Sequence, residues 1–348
     1  MRLFPIVMRV IVVSISLAPF GAQAHHSFAA TFDVEAVDEL EGELTSVQWR
    51  NPHVLFELKV DDQGQEKLYE IESHSLSIMR RMQISADALR VGDKVRVAGH
   101  PARYTDNAMF VLNALLPSGE EIVFDPWGGP RWSENIGTTE VWQATDEDAQ
   151  PQQNGIFRVW VTAVSHPNAW PFPEMFDLSL ISNYPLTEAA QAALADFDPI
   201  TDIPTLNCAV KGMPTIMEQP YPMEIVDQGD SILLRIEEYD TLRTIHMNET
   251  SVPADEPYSI LGYSLGHWDG DTLVVTTTNV NWPFFDSVGI PLTDAAHIVE
   301  RFIPAEDGSR LDLAMTVTDP GTFTAPVEVT KTWLALPGIE VEPYECTN

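Results

Sequence analysis

The sequence predicts an all-β protein with two barrels: an N-terminal OB-like small barrel and a C-terminal up-and-down, lipocalin-like β-barrel, joined by a Pro/Gly/Trp-rich segment. Three observations predict it. Between Asp38 and Phe124 short alternating strands are divided by Gly and Asp turns. From Pro126 the periodicity lapses into Trp127, Gly128, Gly129, Pro130 and Trp132 and an acidic polar run. After Cys208 nine short strand patterns follow one another with hairpin signals and almost no helix. Short strands at regular spacing are the mark of barrels and sandwiches.

Residues 1–24 carry Arg2 and Arg9 without an acid, then an apolar run from Val10 to Phe20, then Ala22-Gln23-Ala24. That is the n-region, h-region and A-x-A site of a cleaved secretory signal. The apolar run is short of the ~20 residues a spanning helix needs. No other stretch reads as a span, so the mature protein is expected in the periplasm or outside the cell. Over the whole chain, 19 Lys+Arg against 52 Asp+Glu give a formal net charge of −33, and cleavage removes two of the cations. Such a field keeps an exported protein in solution and repels phosphate backbones, so nucleic acid is not an expected partner.

The domain over 25–125 starts with Leu40-Glu41-Gly42-Glu43-Leu44-Thr45-Ser46-Val47, Val54-Leu55-Phe56-Glu57-Leu58-Lys59-Val60 and Lys67-Leu68-Tyr69-Glu70-Ile71-Glu72. A helical piece, Leu76 to Met82, precedes a strand from Leu89 to Gly99, whose Val-Gly-Asp-x-Val-x-Val phrase is common in OB-like barrels that curve at a glycine. Residues 126–207 read as an irregular linker. Within it Phe157-Arg158-Val159-Trp160-Val161 forms one candidate strand, Thr187 N-caps a short helix to Leu194, and Trp170-Pro171-Phe172-Pro173 packs over a barrel. In 208–348 the strands are expected at 223–227, 231–239, 242–247, 261–268, 272–279, 296–303, 310–318, 326–335 and 339–344. The clearest hairpin is Gly266 to Val275, where Asp269-Gly270 supplies the positive φ of a tight turn. A barrel of about this size is just wide enough to be filled by side chains or to hold one small ligand.

The chain contains two cysteines, Cys208 and Cys346. In an oxidising compartment they read first as one disulfide. The bridge would close a loop of well over a hundred residues and stabilise by roughly 4–5 kcal/mol in the chain-entropy limit.

The mature start His25-His26-Ser27-Phe28-Ala29, Trp49-x-Asn51-Pro52-His53, Gly155-x-Phe157-Arg158-Val159-Trp160, Leu186-Thr187 with Gln191-Ala192-Ala193, Cys208 with Gly212-Met213-Pro214, Pro220-Tyr221-Pro222, Gly266-x-Trp268-x-Gly270-Asp271-Thr272-Leu273-Val274-Val275 and Glu300-Arg301-Phe302 occur in this order. Together they resemble a family of secreted bacterial proteins catalogued as a domain of unknown function. The resemblance implies export, an OB-like N-terminal module and a β-rich C-terminal module, and no activity. The chain departs from the pattern at Gly289-Ile290-Pro291-Leu292-Thr293, where a Pro-His-Ser phrase is expected.

Three sets of residues are candidates for chemistry. Cleavage after Ala24 would leave His25 with a free α-amine beside two imidazoles, a donor set that suits Cu(II), with His53 or His74 as a third ligand. In the C-terminal barrel, Glu238 ends an apolar strand face and Glu300 shares a face with Ile298 and Phe302. A charge there must find a partner, and Arg243, Tyr239 and His246 are the candidates. Convergence of Glu238, Glu300, Asp286 and Asp319 on Arg243 would give carboxylates suited to general acid–base work. His267 and Trp268, ahead of the tight turn, form a third group. Walker and G-x-G-x-x-G patterns are absent from the sequence.

Three functions follow. The first is binding of a small, mostly apolar molecule in the C-terminal barrel, whose polar lining would include Tyr239, His246, His267, Trp268, Asp286 and Asp319. The second is a cofactor-free lyase or isomerase using Glu238, Arg243 and Glu300. The third is periplasmic copper binding through His25, His26 and His53.

Overall fold

The structure is a computed structural model that describes residues 28–125, 128–137, 147–151, 155–163, 183–198, 201–202 and 208–347. The signal-like segment, His25, His26 and the Trp170–Pro173 cluster lie outside the described residues.

One helical turn, α1 (Phe28–Thr31), leads into the small barrel. Its strands are β1 (Asp38–Gln48), β2 (Leu55–Asp62), β3 (Gln65–Glu72), β4 (Lys94–Pro101) and β5 (Ala108–Leu115). The order is β3–β2–β1–β4–β5, closed by a parallel β3–β5 pairing, and β6 (Glu121–Val123) adds to β5. Alternation dictates the faces: Leu44, Phe56, Leu58, Ile71, Val95 and Val97 point inward and are buried. Where the sequence suggested that a strand curves at glycine, the β4–β5 register shifts between Ala98 and Gly99. A Cβ on Gly99 would stand 2.3 Å from the Phe110 carbonyl oxygen, so only glycine permits that approach. The helix α2 (Leu76–Arg81) between β3 and β4 is capped by Ser75, whose Oγ accepts from the Ile78 N–H.

The larger barrel has nine staves. They are β7 (Val159–Thr162), β8 (Met223–Asp227), β9 (Ser231–Ile236), β10 (Thr241–His246), β11 (Tyr263–Asp269), β12 (Thr272–Thr278), β13 (His297–Pro304), β14 (Arg310–Thr318) and β15 (Val327–Leu334). They follow chain order round the barrel, and β15 closes on β7. Every junction is antiparallel except β10–β11, which is parallel, so residues 247–262 must carry the chain back along the barrel.

Two strand expectations are corrected. Residues 339–344 form no strand; the ninth stave is β7, from the segment read as a linker. Its alternation was legible, but its neighbours, β15 and β8, are distant in sequence. The strand expected over 231–239 ends at Ile236, where a 3₁₀ turn, Glu238–Asp240, swings the chain into β10 with Tyr239 at φ 55° and Asp240 at φ 51°. The helix α3 (Glu188–Asp196) forms as read, with Thr187 Oγ1 accepting from the Ala190 N–H at 3.1 Å.

Trp160, Phe302, Trp333, Leu234, Leu313 and Met315 fill the larger barrel. A 3₁₀ turn, Thr215–Glu218, is buried at one end and contributes Ile216 and Met217 to the same core. Beyond that end the barrels meet. Tyr221, Tyr239 and Tyr344 pack in the core of the small barrel, with ring centroids of Tyr344 5.5 Å from Tyr221 and 5.1 Å from Tyr239. Asn51 Nδ2 donates to the Tyr344 carbonyl, and Cys346 bridges to Asn51. Cys208 and Cys346 are disulfide-bonded with Cα atoms 5.8 Å apart. The tail that looked like a last strand is thus a strap joining both barrels.

Candidate functional site

Inside the larger barrel β10 and β13 bring Arg243 and Glu300 together as a two-point pair: Nη1 donates to Oε1 at 2.9 Å and Nη2 to Oε2. The guanidinium also donates to Thr277 Oγ1 at 2.9 Å and to Ser264 Oγ at 3.1 and 3.3 Å. Arg243 is 1% exposed and Glu300 0%. A planar fork matched to a carboxylate satisfies both charges and fixes the rotamers of both.

Glu238 does not join them. It pairs with Lys211 at 3.0 Å, and Glu218 lies 3.8 Å from the same amine. Lys331 adds a second buried amine, donating to the carbonyls of Met217 at 2.7 Å and Gln219 at 2.6 Å. Burial pushes the Lys331 ammonium down to about 7 and the Glu218 carboxyl up to about 7. Burial also works against the Lys211 charge, but Glu238 and Glu218 outweigh it and hold that amine above its ordinary range. The sequence reading missed both lysines. Lys331 shares the parity of Val327, Val329 and Trp333, so a lysine on an apolar strand face was the available signal.

The remaining barrel candidates separate. Asp286 Oδ1 accepts the N–H groups of Val288 and Ile290, and Asp319 accepts from Thr293, Gly321 and Thr322, so each braces a loop. His246 stacks on Tyr263 at 4.3 Å with Glu249 Oε1 3.4 Å away. Tyr239 packs at the junction between the barrels, and His267 is exposed on β11.

In the small barrel His53 Nδ1 lies against Glu72 Oε1. Next to them His74 is buried, its Nε2 2.9 Å from the Phe124 carbonyl. Burial pushes the His74 imidazolium down to about 4. Among the described residues no group of three or more His, Cys, Asp or Glu is placed to hold a metal ion. Glu121 was also missed: it gathers the N–H groups of Arg131, Trp132 and Ser133 at 2.7–2.8 Å, anchoring the start of the connecting segment. Burial pushes its carboxyl up, but those donors outweigh burial and hold it low.

At the end of the larger barrel away from the small one, the β11–β12 turn, the β13–β14 turn and the residues before β7 enclose a cleft of about 860 Å³. Trp268 is 44% exposed there, edge-on to Phe157 with centroids 6.1 Å apart. Pro151 and Pro304 add apolar wall, and Asp271, Glu306 and Asp307 supply carboxylates. A second cleft, of about 430 Å³, lies between α2 and the C-terminal strap, where Arg80 and Arg81 face Glu237, Glu340 and Glu342. No helix among the described residues is long and apolar enough to cross a membrane.

No curated protein matches the chain. Among solved structures, two crystal forms of the mitochondrial single-stranded DNA-binding protein Rim1 of S. cerevisiae resemble part of it. They share 14% and 15% identity over 24% of this chain and 93% and 92% of theirs, each with a TM-score of 0.20. Residues 11–109, which take in β1 to β4 and the start of β5, match the model of a family of unknown function (DUF6152), consistent over that stretch with the resemblance carried by the His25–Ala29 and Trp49–His53 motifs.

Proposed function

We propose that the protein is an exported binding protein that takes a small molecule with an apolar or aromatic body at the open mouth of the larger barrel. One observation carries this reading: a cleft of about 860 Å³ walled by Trp268, Phe157 and prolines, with only a few polar side chains. That is the size and composition of small-molecule sites. The sequence reading put the ligand inside the barrel, but the mouth is the better place, because Trp160, Phe302, Trp333 and the Arg243–Glu300 pair occupy the interior. The acid–base alternative draws less support, since both oxygens of Glu300 are engaged by Arg243. Export is supported by the leader-like residues 1–24 and by the disulfide.

Native mass spectrometry of the protein purified from its own host tests the reading. The expected result is a co-purified small molecule on the wild type and its loss from Trp268→Ala. A ligand retained at full occupancy by Trp268→Ala, or a wild type to which no panel of aromatic probes binds, would overturn it.

A further inference from the structure

We propose that the ligand of this mouth carries a positive charge, as an alkyl- or arylammonium group, which rests on the binding reading above and names the class of molecule bound. Among the described residues the cleft lining contains no lysine, arginine or histidine and three carboxylates, of Asp271, Glu306 and Asp307. Asp271 and Glu306 are exposed and form no ion pair among the described residues; one Asp307 oxygen accepts from Ser309.

Three arginines lie near enough to oppose this, and two of them, Arg301 and Arg310, are already paired with other carboxylates. Arg301 donates to Asp269 at 2.8 Å, and Arg310 to Asp312 at 3.1 Å. Arg158 forms no ion pair among the described residues; it donates to the Gly308 carbonyl and covers the Trp160 ring, and its Nε and Nη2 are buried without a hydrogen-bond partner, out of a ligand's reach. Carboxylates next to an exposed indole face are what an organic cation needs: the ring quadrupole attracts the cation and the acids neutralise it. The −33 formal charge of the chain adds a long-range field of the same sign.

The test uses the full chain and three probes of one shape: 2-phenylethylammonium, neutral 2-phenylethanol and anionic phenylacetate, titrated by calorimetry at neutral pH. The expected result is that the cation binds about tenfold more tightly than the alcohol, with the anion weakest. The Asp271→Asn/Glu306→Gln variant should bring the cation to the alcohol's affinity without weakening the alcohol. Trp268→Ala should weaken both. If the three probes bind equally in the wild type and all are lost in Trp268→Ala, the charge preference is wrong and the cleft reading stands. If the anion binds best, the inference falls in the same way. If none binds, both readings fall.

Discussion

Replacing Arg243 by Met would strand Glu300 as a lone carboxylate at 0% exposure. Arg243 supplies two bonds to that carboxylate and others to Thr277 and Ser264. The hydroxyls of Ser264 and Thr277 lie 2.9 Å apart and keep each other as partners, so the cost falls on the carboxylate. Breaking a buried pair from one side costs about 3–5 kcal/mol. The double variant Arg243→Met/Glu300→Leu removes both charges and leaves that hydroxyl pair satisfied, so it should recover most of the loss. The assay is urea unfolding at neutral pH followed by tryptophan fluorescence, since Trp160 and Trp333 report from the same barrel. A single variant that costs under ~1 kcal/mol, or a double variant as unstable as the sum of the two singles, would refute the buried pair as described.

Other perturbations follow from the same geometry. Glu218, raised to about 7 by burial, contributes stability that is present below its unfolded pKa and lost as pH rises through 7; Lys331, lowered to about 7, penalises the fold increasingly as pH falls from its unfolded value towards 7. The stability gain of Glu218→Gln/Lys331→Met relative to wild type should therefore peak near pH 7 in unfolding curves taken from pH 4 to 10. Reducing the disulfide should release the C-terminal strap and cost about 2–5 kcal/mol, read as a lower melting temperature with reductant that Cys208→Ser/Cys346→Ser reproduces without it. Gly99→Ala forces a Cβ against the Phe110 carbonyl. It should destabilise the small barrel by about 1–3 kcal/mol, seen as earlier loss of hydrogen-exchange protection in β4 and β5 than in the larger barrel.

Parts of the candidate sites were legible before any fold was known. Glu300 stood out because its parity matched Ile298 and Phe302, and Arg243 was among its expected partners. Glu238 was expected on a buried face and is buried, but it meets Lys211 and none of the partners expected for it, because the strand was carried past Ile236 into what is a 3₁₀ turn. Lys211 and Lys331 were overlooked, although Lys331 breaks an apolar alternation as clearly as Glu300 does. The mouth cleft could not be read: of its side chains only Trp268 was singled out for binding, and its walls come from turns at 269–272 and 304–310 and a run ending at Phe157.

The sequence by itself determined the class of each module, the inward parity of most staves, the Asp269-Gly270 hairpin, the Thr187 cap and the single cysteine pairing. These are short-range properties, set by a two-residue period, by turn chemistry or by having only two thiols to join. The tertiary structure alone decided that Val159–Thr162 closes the larger barrel, that residues 339–347 strap the barrels together instead of forming a strand, and which buried cation meets which carboxylate. Those outcomes depend on which distant strands become neighbours, and that is settled by the packing of a whole closed sheet rather than by any local run of residues.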